Sequence, residues 1–458
     1  MEGFEVAVNV SSNFTADISN YIEKKLLPLA RRQLVAYQFG EPIRLPYGRG
    51  TTYTATRYNR IPLPFQSLSE GVPPPSESLT LQQVSVVAAQ WGDRIVLTDI
   101  AELTIEHPLF KTATDLMGLE IAELLERNTF NSLMSSTQVN YVNSRGARAN
   151  LLSGDVMNIT EVNRAVSMLH NIGAPRFMGD EQTNVKVDVR AGEPTAGSDP
   201  RGHPHYVSII HPFVEMDMRS NSTIVTAWSY SDVNKLYNDE LGEWGGVRFV
   251  RSNMVPSFSG VSPALTYTGV STGGSLTTTG GPYYIILTGS DVQNQYESRI
   301  YVVSSSVAIP GASTTGSITF TTPSLTGYTW SAYIGTTTSP NNLATSPSGP
   351  TQGPLSGQAV QLPGSTLVTL TGVGASQTPP SPGPIGLTAY PCFVFGRGSY
   401  GIVTLDQVRT SFLTGPDKSD ALNQLRVLGF KVMYGTIILN NTFMMRIEAV
   451  SSYNATFG

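Results

Sequence analysis

The stretch from Trp91 to Met134, WGDRIVLTDIAELTIEHPLFKTATDLMGLEIAELLERNTFNSLM, constrains the fold more than any other, because it carries the one long, well-signalled amphipathic helix in 458 residues. Pro108 suits a first helical turn, where its missing N-H costs nothing. Apolar residues then recur at Leu109, Ala113, Leu116, Met117, Ile121, Leu124 and Leu125, with Leu109, Leu116 and Leu124 as the expected core of the stripe. Glu120, Glu123, Glu126 and Arg127 fall largely off that stripe. Asp115, Glu120 and Glu123 read as a solvated or inter-subunit face. A helix over 107–135 would be about 40 Å long at 1.5 Å rise per residue. One such helix among β-rich segments predicts a spine in an α+β fold, not a bundle.

Ahead of it, the apolar positions Ile18, Tyr21, Ile22, Leu26, Leu29, Leu34 and Tyr37 predict a helix that Pro28 kinks and Gly40 ends. Its basic cluster, Lys24, Lys25, Arg31 and Arg32, reads as a solvated face or an inter-subunit contact. Between residues 41 and 98, TTYTATRYN and LQQVSVVAAQWGDRIVLTD are extended runs flanking a proline-studded excursion. Two long strands with little apolar alternation cannot form a core alone, so they predict a protruding hairpin that another subunit covers. Beyond the spine, Thr160 is the expected cap of a helix bearing Val162, Ala165, Val166 and Leu169, with Gly173 as its stop. YVSIIHP predicts a buried strand, HPFVEMDMR a helix start and VRFVRS a further strand.

Composition then breaks sharply. From 257 to 388 the only charged residues are Asp291, Glu297 and Arg299, while Thr, Ser, Gly and Pro dominate. Short strand candidates separated by turn residues, with Tyr328, Trp330, Ala332 and Ile334 alternating against Thr329, Ser331 and Tyr333, predict an inserted all-β sandwich of the immunoglobulin or fibronectin type. Such an insertion should be separable at about Pro256 and Thr388. The tail resumes the earlier composition and reads as closing strands, so the body is discontinuous.

Charge excludes several functions. Only 14% of residues are charged and the formal net charge is -5, which argues against a broad electrostatic grip on nucleic acid. The N-terminus shows no basic region followed by an apolar run, and no stretch is apolar enough to span a membrane, so the chain is expected to start out cytosolic. A single cysteine, Cys392, excludes an internal disulfide and reads as a small buried hydrophobe. His203, His205 and His211 lie close in sequence, but Pro204 argues for a loop and no further ligand has a motif spacing. No hydrolase, metalloprotease, Walker or dinucleotide motif is present. The expectation is no enzyme, no cofactor and no metal.

The order of these parts, carried by TTYTATRYN, QWGDRIVLTDIAE, YVSIIHP, LGEWGGVRFVRS, KSDALNQ and GFKVMYGTIILNN, resembles the major capsid proteins of tailed bacteriophages with the Hong Kong 97-like fold, most closely the N4-like podovirus group. The resemblance implies an N-terminal arm and helix (1–40), an extended loop hairpin (41–98), a peripheral domain (99–158) containing the spine helix, an axial domain (159–256) and closing axial and peripheral segments (389–458). The inserted domain (257–388) has no counterpart in the minimal family pattern. The implied function is a homo-oligomeric coat of hexamers and pentamers, forming an icosahedral shell around double-stranded DNA that it contacts weakly. Portal and scaffold proteins are implied partners, and the insertion could meet a decoration protein or a host glycan. The implied location is the virion capsid, assembled in the host cytoplasm, with no membrane. The rival reading is a β-rich carbohydrate-binding or tail-associated adhesion protein, motivated by the Thr/Ser/Tyr/Trp-rich insertion. Some members of the fold cross-link a loop lysine to a neighbouring asparagine. Here residues 40–100 contain no lysine, and Lys111 sits on the spine helix, so the shell is expected to be non-covalent. The loop's Arg44, Arg49, Arg57, Arg60 and Arg94 are the expected assembly contacts, pairing with acidic groups on neighbours.

Overall fold

The computed structural model describes residues 35–59, 61, 63, 76–104, 109–177, 205–220, 240–262, 265–291, 296–346, 349–350, 362–413 and 424–453. They divide into two compact units, Met1–Ser135 with Arg397–Asn441, and Ser136–Gly396 with Thr442–Gly458. Of the helix expected near the N-terminus, only Ala36–Phe39 is described; Lys24, Lys25, Arg31 and Arg32 lie outside the described residues.

In the first unit a four-stranded sheet has the order Glu41–Arg44, Tyr400–Leu413, Leu425–Ile438, Ala89–Thr98. The long helix, Leu109–Met134, packs on it. Ala113 and Met117 meet Leu97, Leu428 and Phe430, with Leu109, Ile121 and Leu124 partly buried beside them. The stripe therefore does not run through Leu116, which is 45% exposed. Leu116 and Met117 are both apolar and about 100° apart on the helix, so periodicity alone could not choose between them. The sheet side chains chose Met117.

The second half of the helix departs further from expectation. Phe130 and Leu133 are fully buried, and so is Glu126, with Arg127 nearly so. Glu126 stands four and seven residues before Phe130 and Leu133, on the same helical face. Its carboxylate accepts backbone N-H bonds from Val35 (2.8 Å), Ala36 (2.7 Å) and Tyr37 (2.9 Å). Burial raises this carboxyl above its ordinary range, and the three donors pull it back. Glu126 is thus a peptide clamp rather than a solvated charge. From the sheet, Tyr434 donates to the Leu124 carbonyl (3.2 Å) and accepts from Asn128 (2.6 Å), holding the helix in register.

The second unit is built on a thirteen-stranded sheet. Its central strand, Thr388–Phe395, pairs with Met444–Val450 along one edge. Along the other it pairs first with Phe258–Val261, at Thr388 and Ala389, and then with Tyr206–Ile210, at Phe393 to Phe395. Pro391, which has no N-H to donate, falls between those two paired stretches. Helices Ile159–Ile172 and Pro212–Arg219 cover this sheet, burying Val162, Ala165, Leu169 and Val214 against Cys392, Val394 and Ile447. Cys392 is fully buried, and burial pushes its thiol well above the ordinary range. The cap of Ile159–Ile172 is Asn158, whose side chain accepts from the Glu161 N-H, rather than Thr160; Gly173 ends the helix in the left-handed conformation, φ 71.

The low-charge stretch contributes strands from Phe258–Val261 to Gly372–Ser376. Thr268–Val270, Ser317–Thr321 and Leu367–Leu370 form a separate three-stranded sheet. Across a core of Ile318, Phe320 and Leu370 it faces Ile285, Leu287, Trp330, Ala332 and Ile334 of Tyr284–Asp291 and Tyr328–Gly335. This core is distinct from that of the body. The hydrogen-bonded sheet nevertheless crosses the composition boundary, because Phe258–Val261 pairs both with Thr388–Ala389 and with Glu297–Tyr301.

A buried ionic cluster ties these parts together. Arg148 grips Glu448 in bidentate fashion, Nε to Oε2 at 2.5 Å and Nη2 to Oε1 at 2.7 Å. It also donates to the Ser381 carbonyl at 2.8 Å and lies 3.9 Å over the Phe258 ring. Arg446 reaches Glu448 at 3.0 Å.

Candidate assembly interface

Thr52–Tyr58 and Leu81–Val87 pair antiparallel from Thr52 opposite Val87 to Tyr58 opposite Leu81, and form a sheet of two strands alone. Directly opposed residues share a face, so Tyr53, Ala55, Val84 and Val86 lie together on one side. Tyr58, Leu81 and Val87 share the other with a row of Thr, Gln and Ser. Tyr58 is 70%, Leu81 47% and Val87 59% exposed, and Tyr47, Ile61, Leu63 and Leu79 beside them are exposed too. A two-stranded ribbon with both faces wet is at best marginally stable in water. Tyr53, Ala55 and Val86 are half-buried, Val86 beside Gly435, whereas Tyr58, Leu81, Val84 and Val87 lack a covering layer among the described residues, the pattern of a surface made for a partner.

The arginines expected to work at this interface are dispersed over one unit. Arg44 is on the edge strand Glu41–Arg44, Arg49 lies in a turn between Gly48 (φ 80) and Gly50 (φ 88), Arg57 is on the hairpin and Arg94 on Ala89–Thr98; all four are exposed. Arg60 lies outside the described residues. Arg57 bonds across the hairpin to Gln82 through Nε (3.0 Å) and Nη2 (2.6 Å), a neutral partner that fixes the guanidinium without neutralising it. None of the four has a carboxylate partner among the described residues.

Two further apolar groups belong to the same unit. Ile100 and Leu103 protrude from the short helix Asp99–Thr104. Phe412 and Leu413 end the strand Tyr400–Leu413, whose partner strand starts where Leu425 pairs with Thr98 just ahead of that helix. The acidic face of the long helix includes Glu120, whose carboxyl burial and the neighbouring Asp93 push up to about 7.

The histidines do not converge. His203 lies outside the described residues, while His205 and His211 flank opposite ends of the strand Tyr206–Ile210. His211 caps the next helix, its Nδ1 accepting from the Phe213 N-H at 3.2 Å, and burial lowers it to about 4. Among the described residues no group of three or more His, Cys, Asp or Glu is placed to hold a metal.

Sequence reasoning missed the two charged anchors, Glu126 and Arg148. For Glu126 a signal existed in its i, i+4, i+7 relation to Phe130 and Leu133. For Arg148 there was none, since its partner lies 300 residues away.

No family model matches the chain, and no curated protein matches it. Solved structures do. The chain is similar to the capsid asymmetric unit of cyanophage Pam1, with 11% identity over 99% of this chain and 100% of that one and a TM-score of 0.50. It is also similar to the capsid of Ralstonia phage GP4, at 11% identity over 94% and 95% with a TM-score of 0.48. The capsid structure of cyanophage P-SCSP1u gives 11% over 94% and 93% with a TM-score of 0.46. The fold is phage capsid-like, mostly β with few helices.

Proposed function

We propose, from a fold shared with phage capsid subunits, that this chain is the major capsid protein of a tailed phage of Hong Kong 97-like, N4-like type. It self-assembles into the hexamers and pentamers of an icosahedral shell around double-stranded DNA. The observation that carries this reading is the hairpin Thr52–Tyr58 and Leu81–Val87, which exposes apolar side chains on both faces and becomes stable when a neighbouring subunit buries it. Residues 41–98 are its extended loop and Leu109–Met134 the spine. Arg44, Arg49, Arg57, Arg60 and Arg94 are its inter-subunit charges, each worth about 0.2–1 kcal/mol when exposed but repeated at every contact of a shell. The absence of lysine from residues 40–100 favours non-covalent joints. A net charge of -5 suits a coat that touches its DNA weakly and releases it. The role is structural rather than enzymatic, and residues 257–388 form a β-sandwich knob on the shell surface, with portal and scaffold proteins as further partners.

Electron microscopy of the purified full-length chain tests this reading. Rings, sheets or closed shells are expected, and monodisperse monomers at high concentration would overturn it.

A further inference from the structure

The four-stranded sheet of the first unit is open along one side. Leu425–Ile438 pairs with one edge of Ala89–Thr98, and along residues 89–95 no strand lies against the other edge among the described residues. An open edge presents a row of N-H and C=O groups ready to pair with another chain. Its two faces differ. Trp91 and Ile95 turn toward the long helix Leu109–Met134, so Gln90, Gly92 and Arg94 lie on the opposite face, all three exposed.

The helix overhangs this edge. Glu120 hydrogen-bonds to Asp93 of the edge strand, and Leu116, four residues earlier on the same flank, is 45% exposed. A further strand beside residues 89–95 would lie under Leu116 and cover it. One stretch of the chain has the pattern for that strand. In residues 4–10, FEVAVNV, Phe4, Val6, Val8 and Val10 alternate with Glu5, Ala7 and Asn9, giving one apolar and one polar face. These residues lie outside the described ones.

We propose that residues 4–10 of a second copy add to the edge of Ala89–Thr98 as a fifth, antiparallel strand, with Glu5 opposite Arg94 and Asn9 opposite Gln90. This register sets Phe4 beside Ile95 and Val8 beside Trp91 beneath the helix, and the small Ala7 against Gly92. Only Val6, opposite Asp93, meets a polar side chain on the helix face. Glu5 supplies the carboxylate that Arg94 lacks among the described residues. Reach makes the donor a neighbour. Glu126 clamps the chain at Val35 to Tyr37, and Tyr37 packs in the same cluster as Trp91, so the chain enters beside its own edge. The helix expected over residues 18–34 carries it about 25 Å from there, and residues 11–17 span at most about 24 Å. Returning to its own edge would need that link fully stretched back along the helix, whereas a neighbour's edge is met without doubling back. The inference deepens the capsid reading, on which it rests for the neighbouring copy, and makes each subunit both donor and acceptor of a strand.

Disulfide trapping tests the register. Cys392 is fully buried, so introduced cysteines report alone. Full-length chains carrying Asn9→Cys are mixed with chains carrying Gln90→Cys at shell-forming concentration, oxidised and run on a non-reducing gel. A linked pair of chains is expected from the mixture, because directly opposed residues are close enough to bridge. None is expected from either variant by itself, or from Asn9→Cys mixed with Thr410→Cys on Tyr400–Leu413. Val8→Asp should lower particle yield about ten-fold or more, the loss of one buried valine, and leave the melting temperature of the unassembled chain unchanged. No linked pair from the mixture, or an unchanged yield in Val8→Asp, would overturn the proposal. So would a chain carrying both cysteines that closes its disulfide internally and stays monomeric. Microscopy of the same samples separates the two readings: shells without linked pairs sink the strand addition alone, and linked pairs without shells sink the capsid alone.

Discussion

Arg148→Ala removes the residue that holds the low-charge region to the body of its unit. In the native chain the Arg148 and Glu448 side chains are 4% and 0% exposed and joined by two short bonds. Breaking a buried pair by deleting one partner costs about 3–5 kcal/mol, because the survivor is left charged and desolvated. Glu448 keeps Arg446 at 3.0 Å, which places this loss near the lower end. Losing the cation over the Phe258 ring adds about 1 kcal/mol. The abandoned Ser381 carbonyl adds about 1 kcal/mol more. The total is about 5 kcal/mol, and with a urea slope of about 2–3 kcal/mol per molar the unfolding midpoint should fall by roughly 2 M. Tryptophan fluorescence in a urea series reads this, since Trp330 is fully buried in the core of the low-charge region. Arg164→Ala is the control. Its pair with Glu161 at 2.9 Å has a 41% exposed arginine, and such partly solvated pairs contribute about 0–1 kcal/mol. Equal midpoint shifts for Arg148→Ala and Arg164→Ala would refute the claim that burial and the three-way grip of Arg148 set the magnitude.

Met117→Ala should cost the isolated chain about 2–5 kcal/mol, whereas Leu116→Ala should cost under about 1 kcal/mol and instead reduce shell yield; thermal unfolding and particle counts separate the two. Glu126→Ala orphans the buried N-H groups of Val35 and Ala36, at about 1–3 kcal/mol each, so limited proteolysis should cut near residue 35 in the variant and spare the native chain. Burial pushes the Glu297 carboxyl up from 4.5 to about 7, although the Tyr333 bond pulls the other way. A carboxyl raised on folding contributes its full stability below its unfolded value and loses it as pH rises to its folded value, so the melting temperature should fall between about pH 4.5 and pH 7, level off above, and fall less steeply in Glu297→Gln. Boiled particles on a denaturing gel should run as one band near 49.3 kDa, and a ladder of multimers would refute the non-covalent joint.

What the sequence determined by itself is local. The apolar recurrence before Gly173 defines the helix Ile159–Ile172, the β-branched runs define Tyr206–Ile210 and Val247–Arg251, and the long helix lies at Leu109–Met134 where its stripe predicts it. These follow from residues a few positions apart, whose spacing alone decides which side chains share a face. Tertiary structure decided what that spacing leaves degenerate. Asn158 rather than Thr160 caps its helix because the backbone bends out of helical geometry there, and Met117 rather than Leu116 is covered because the closing strands present Leu428 and Phe430 to that side. The same holds for charge. A glutamate or arginine reads as solvated until a distant partner satisfies it, and the partners of Glu126 and Arg148 are 90 and 300 residues away.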